Sequence, residues 1–201
     1  MDFNDVIRKR KMIREYDSKQ VSDEIIRKLI RNAHRAPSTG HTQVQEFIIV
    51  KDPAIKKKLR KVAVDQEYVE RAPVLIVVCS NTSRSISRYG SRGKEFYSII
   101  DGAFASMLIL LTAVNEGIGA CFVGAFQDKM VSTILELPKH VKPIGIICIG
   151  YPAKEPERTE RIPLWKLVYY DKYGNQNGSQ YTLPHDINIT RRKTIKDDLC
   201  L

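Results

Sequence analysis

Residues 95–116 carry Ile99, Ile100, Ala103, Phe104, Met107, Leu108, Leu110, Leu111 and Val114, which would occupy nearly every side of a helix. A helix that is apolar all round must be buried, either in a core or at a subunit interface. Gly117 suits the position just past its end, where a left-handed residue closes the last turn. The longest apolar run, 103–114, is broken by Ser106 and Thr112. It falls short of the ~20 residues needed to span a bilayer. The rest of the chain has to cover this helix.

Around it the pattern predicts alternating helices and strands. Phe3, Val6 and Ile7 mark a first helix that ends in the basic cluster from Arg8 to Lys11. Ser22 is placed to N-cap a second helix with Ile25, Ile26, Leu29, Ile30 and Ala33 inward. Strands are expected at 47–50, 74–79 and 143–150, with a short strand or turn at 120–126. The unbroken run 74–79 reads as a strand covered on both faces. Asp52-Pro53 starts a helix with Ile55, Leu59, Val62 and Ala63 inward, and Asp128 is expected to cap another. Lys56, Lys57 and Lys58 read as a solvated face. The polar stretch 80–94 reads as a loop or lid.

The order gives an α/β or α+β domain of 201 residues with a sheet of about four strands and helices covering it. The net charge of +10 keeps a nucleic-acid-binding protein as a rival from another class. The chain lacks a fold motif for that role and the aromatic and basic interleaving that single strands require. Cys79 and Cys148 lie in apolar runs, and with Cys121 and Cys200 they form no CxxC pair, so free thiols are expected. His34, His41, His140 and His185 have no metal-ligand spacing, and no metal is expected. There is no P-loop, no GxGxxG after a strand and no GxSxG. An enzyme without these devices can leave its chemistry to a cofactor. Met1-Asp2-Phe3-Asn4-Asp5 carries no apolar signal segment, so a cytoplasmic location is expected.

Three segments stand out together. Arg10-Lys11-Met12-Ile13-Arg14-Glu15-Tyr16 can clamp a phosphate, because guanidinium groups pair its oxygens bidentately. As a plain helix end followed by a loop, the same residues would need no ligand. Ala36-Pro37-Ser38-Thr39-Gly40-His41-Thr42-Gln43 is a hydroxyl-rich loop, or an ordinary turn. Gly117-Ile118-Gly119-Ala120-Cys121-Phe122-Val123-Gly124 lets backbone approach a flat ring, or merely joins a helix to a strand.

In this order, with Asp101-Gly102-Ala103-Phe104-Ala105-Ser106, Gly150-Tyr151-Pro152 and Arg161-Ile162-Pro163-Leu164, these segments resemble the nitroreductase family of flavoproteins. The likeness runs from about Asp2 to Leu167. It implies a nitroreductase-like fold, with a central, mostly antiparallel sheet flanked by helices, in an intertwined homodimer with FMN at the subunit interface. The implied domain covers residues 1–175. A C-terminal extension, 176–201, is expected to be partly mobile or to wrap the partner, with the tail embracing the partner from Trp165.

The resemblance also implies roles. Arg10, Lys11 and Met12 would hold the FMN phosphate and ribityl, with Arg14 nearby, and Arg161 aided by Arg158 would complete the phosphate site. Ser38, Thr39, His41 and Gln43 would contact the flavin from across the dimer. Cys121, Phe122, Val123 and Gly124 would lie along the ring. Met12 stands where the family usually has serine, His41 where it has asparagine, and Val44-Gln45 where it has Pro-Trp.

The implied activity takes hydride from NAD(P)H and passes electrons to a nitroaromatic or quinone acceptor by a ping-pong mechanism. The flavin N5 would carry the chemistry, so no catalytic side chain is expected. The alternative is a specialised flavoprotein of the same fold: a dehydrogenase, a dehalogenase or a flavin-degrading enzyme. Arg88 and Arg92 in the expected lid would then face an anionic substrate. Neither a nucleic acid nor a membrane is expected as partner.

Overall fold

β2 (Val74–Asn81) is the spine of the molecule, buried along nearly its whole length. Its residues alternate between two cores, as the period of two in a strand requires. Val74, Ile76 and Val78 face one side, and Leu75, Val77 and Cys79 the other. The computed structural model describes residues 1–154 and 160–176. Within them β1 (Gln45–Val50), β2, β4 (Val141–Gly150) and β3 (Gly119–Val123) form a sheet in the order β1-β2-β4-β3. All three pairings are antiparallel. Pro143 cannot donate to a ladder, and the β2–β4 register shifts beside it, between Val78 and Cys79.

Helices cover both faces. α2 (Asp23–Ala33) and α6 (Ser98–Asn115) pack Ile26, Leu29, Ala33, Ala105, Ile109 and Ala113 onto the face of Ile76 and Ile147. On the other face, α3 (Pro53–Val62), α4 (Glu67–Arg71) and α7 (Asp128–Ile134) bring Leu59, Val69 and Val131 against Leu75 and Val77. The short α1 (Phe3–Lys9) precedes them, capped by the Asp2 carboxylate on the Asn4 N–H. Ser22 and Asp52 cap α2 and α3 as expected. Gly117 has φ +69, the left-handed position foreseen for it. Cys79, Cys121 and Cys148 are buried free thiols.

Residues 80–94 are not a loop. β2 runs to Asn81, and α5 (Thr82–Arg92) follows, kinked at Gly90 and continuing through a wide turn (Gly93–Tyr97) into α6. Serines and arginines alone do not predict this helix; tertiary contacts hold it. Arg84 reaches Glu46 at 2.7 Å and the Gln43 carbonyl at 2.8 Å, and Arg88 donates to the Gly40 carbonyl at 2.7 Å. Lys56 is a second correction: it is buried, and its Nζ donates to the Ala72 carbonyl at 2.7 Å. Its stem covers the α3–α4 junction while its head takes up an orphan helix-end carbonyl. Asp128 opens α7 as its first residue, and Gln127 is the cap.

α6 is buried on only one side. Ala105, Ile109 and Ala113 are inaccessible, while Ile99, Phe104 and Met107 are 46%, 46% and 47% exposed. By length and composition the helical run 82–115 could cross a membrane, a longer span than the apolar run 103–114 suggests. Its inner face, however, is packed into the core beside α2 and the sheet.

The chain divides into two units, Met1–Pro156 and Glu157–Leu201. In the second, a single 3-10 turn (Leu164–Lys166) is followed by a reversal in which Asn175 donates to Lys172 and Tyr170 to Asn175. The Gln176 side chain donates to the Trp165 carbonyl at 2.8 Å. Of the expected extension, residues 177–201 lie outside the described residues.

Candidate functional site

Two of the three segments meet. After α1 the chain turns at Arg10 and runs along the outer edge of β3, where the Ile13 N–H donates to the Ala120 carbonyl at 3.0 Å. The Ile13 side chain lies over Gly119, where a Cβ would come within 2.8 Å of it. Met12 packs against both cores, so it seals the end of the sandwich. That gives a packing reason for a thioether where a hydroxyl was expected. The Tyr16 hydroxyl donates to the Ile13 carbonyl at 2.5 Å and locks the turn. Arg10, Lys11 and Met12 are half-buried, and Arg14 is exposed.

Arg14 lies 5.6 Å from the centre of the Tyr68 ring. Its hydrogen bond with Tyr68 is the main reason its pKa is raised, and Cys121 adds to it. Burial pushes the Cys121 and Cys148 thiols and the Tyr16 hydroxyl up. These groups therefore stay protonated near neutrality and supply neither nucleophile nor general base. β3 is the last strand of the sheet among the described residues, so one of its sides offers backbone groups that no strand pairs. Phe122 turns its ring over Gly145, where a Cβ would come within 2.1 Å of it, while Cys121 and Val123 face the opposite core.

The third segment sits elsewhere. Ser38 to Gln43 leads into β1, at the far edge of the sheet from β3. Three inter-strand spacings put the two edges roughly 14 Å apart. Gly40, His41 and Gln43 all have positive φ, at 56°, 58° and 47°. Such strain persists only where surroundings enforce it. Here the Thr39 N–H and hydroxyl both donate to Asp101 Oδ1 at 3.0 Å. Ser38 Oγ accepts from the Gln43 N–H, and Arg84 and Arg88 hold the Gln43 and Gly40 carbonyls. The Tyr89 hydroxyl fills the place a side chain at residue 40 would take.

Asp101 was quoted in the sequence only as part of a motif, without a role. A carboxylate inside an otherwise apolar helix is the signal that could have assigned it one, since such a charge is buried only when paired or hydrogen-bonded. Asp101→Ala would leave the Thr39 N–H unpaired, a cost of about 1–3 kcal/mol. We expect its urea midpoint to fall accordingly, with weaker uptake of FMN. Asp101→Asn, which keeps an acceptor, should retain most of both.

Arg88 and Arg92 stand on the helix α5 rather than in a loop. Arg88 is spent on Gly40, and Arg92 donates to the Tyr97 hydroxyl at 3.0 Å and lies over the Phe96 ring. Arg161 is an exposed residue of the second unit, and Arg158 lies outside the described residues. Among the described residues no cluster of His, Cys, Asp and Glu could hold a metal.

The model of the nitroreductase family matches residues 7–67 and 62–151. The chain belongs to the nitroreductase family. It is 29% identical to a Thermus thermophilus NADH dehydrogenase, over 85% of this chain and 96% of that protein. With the FMN reductase (NADPH) of Bacillus subtilis it shares 28% identity, over 92% and 78% of the two chains. The solved NfrA1 nitroreductase of B. subtilis superposes with a TM-score of 0.77 at 25% identity, covering 86% of this chain and 75% of that one. This nitroreductase-family chain is thus an enzyme of that type.

Its residues also fit FMN. Half-buried cations, Arg10 and Lys11, lie where the chain passes the outer edge of β3, the terminal strand of the sheet among the described residues. At the other edge the Gln45 amide and Asp101 Oδ2, both buried, have no hydrogen-bond partner among the described residues.

Proposed function

We propose that this chain is an FMN-dependent oxidoreductase. It takes hydride from NAD(P)H and reduces an electron-poor acceptor of nitroaromatic or quinone type, as a homodimer with FMN at the interface. The observation that carries the reading is the separation of the two halves of the site. Arg10 to Arg14 and Cys121 to Gly124 share the β3 edge, while the strained loop from Ser38 to Gln43 lies at the β1 edge. One ring system cannot lie against both edges of one sheet, so two chains supply one site. The half-exposed apolar face of α6, with Phe104 and Met107, suits burial between them. The similarity to the FMN reductase (NADPH) of B. subtilis supports the cofactor and the donor.

FMN, when bound, supplies the hydride and electron transfer that no side chain here can perform. Arg10 and Lys11 would offset the phosphate charge, a role the family resemblance also implies for Arg158 and Arg161, while Met12 would line the ribityl side and Arg14 would add positive charge nearby. The backbone of Cys121, Phe122, Val123 and Gly124 offers donors along the ring edge. Ser38, Thr39, His41 and Gln43 of the second subunit close the opposite side and exclude water. Donor and acceptor then use one cleft in turn, which gives ping-pong kinetics. The chemistry needs neither nucleic acid nor membrane.

Purified protein should be yellow and should bleach when NADH or NADPH is added without oxygen. The colour should return when a quinone or nitroaromatic follows. A colourless preparation that takes up no added FMN would overturn the reading.

A further inference from the structure

Arg31 lies in the last turn of α2, and His34 and Arg35 follow in the turn just beyond its end. The Ala36-Pro37 turn brings His41 and Gln43 back over them. The five residues line a single open cavity of about 450 Å³, and no carboxylate lines it. His41 Nε2 and Gln43 Nε2 are 3.0 Å apart.

Arg60 is paired with Asp65 and Glu70, and Arg84 with Glu46. Among the described residues neither Arg31 nor Arg35 takes part in an ion pair. The C-terminal end of α2 carries only about half a negative charge, which one guanidinium already exceeds. The cavity is therefore electropositive without an internal counter-charge.

We propose that this cavity binds the phosphomonoester dianion of a small-molecule substrate. Two guanidinium forks match a group with several equivalent oxygens and two negative charges better than they match a single carboxylate. A space of this size also accommodates the body of a molecule behind the phosphate. The inference rests on the proposed flavin site. His41 and Gln43 belong at once to this cavity and to the loop placed against the ring, so a phosphate held by Arg31 and Arg35 belongs to a molecule that reaches the flavin. That molecule is either the electron donor, through a 2′-phosphate on its adenosine, or a phosphorylated acceptor.

The experiment compares the FMN-loaded native protein with Arg31→Gln/Arg35→Gln, both exposed positions. Proton signals of the His34 and His41 rings are followed by NMR during titration with 2′,5′-ADP and with inorganic phosphate. Saturable shifts are expected in the native protein, with affinity at least about tenfold weaker in the variant. Steady-state kinetics then identifies the source. A rise of about tenfold in KM for NADPH with NADH unchanged assigns the donor. The same rise for free FMN as acceptor, with riboflavin unchanged, assigns the acceptor.

The proposal is overturned if neither phosphate compound moves the histidine signals, or if both members of each substrate pair change alike. It is also overturned if the variant loses its yellow colour, since the arginines would then belong to the cofactor's own phosphate site. Failure of the flavin reading looks different, because the native protein would then be colourless from the start.

Discussion

Arg10→Ala combined with Lys11→Ala should yield a folded protein that has lost its colour. Backbone hydrogen bonds and Tyr16 hold the turn these residues occupy. The Arg10 N–H closes α1 onto Val6, the Ile13 N–H is held by Ala120, and Tyr16 locks the far end. The urea midpoint should therefore move little. Flavin affinity should fall steeply, because a hydrogen bond to a charged group is worth about 1.5–3 kcal/mol. Two such bonds correspond to at least a hundredfold weaker binding. Recovery of FMN fluorescence on dilution measures it. Full flavin content in the double variant at equimolar FMN would remove these residues from the site.

Met107→Asp should produce monomers. In the single chain Met107 sits with Ile99 and Phe104 on the half-exposed side of α6, five and three residues apart along the helix and all about half exposed. A carboxylate buried without a partner costs several kcal/mol, and in a symmetric dimer the cost is incurred twice. A nanomolar dimer would shift to micromolar association or weaker. Sedimentation should give about 23.0 kDa in place of twice that mass. FMN should be lost as well under the proposed two-chain site. A Met107→Asp protein that sediments as a dimer with full flavin would contradict the shared site.

These two experiments separate what local pattern encodes from what packing decides. The strands were legible because β2 and β4 are continuous apolar runs, and nothing but a doubly covered sheet buries such runs. The caps at Ser22 and Asp52 and the left-handed Gly117 were legible because their chemistry is local. The site segments at 10–16, 36–43 and 117–124 were legible as an ordered set, although each alone passes for a turn.

α5 was not legible. Its serines and arginines favour solvent or loop, and it is helical because Arg84 and Arg88 find Glu46 and two loop carbonyls far away in the chain. Lys56 was misread for the same reason. A helical wheel places it on a polar face, but the Ala72 carbonyl that buries it arrives only when α4 docks. Asp101 showed no role until the fold brought Thr39 to it across 62 residues.

The sequence by itself determined the strands, the capped helices α2 and α3, and which faces are apolar. Those properties depend on neighbours within a few residues, where periodicity and propensity act. Only the tertiary structure decided that the turn at 10–16 shares an edge with β3 while the strained loop lies at the opposite edge. Strand order is a matter of long-range pairing, which no local signal encodes.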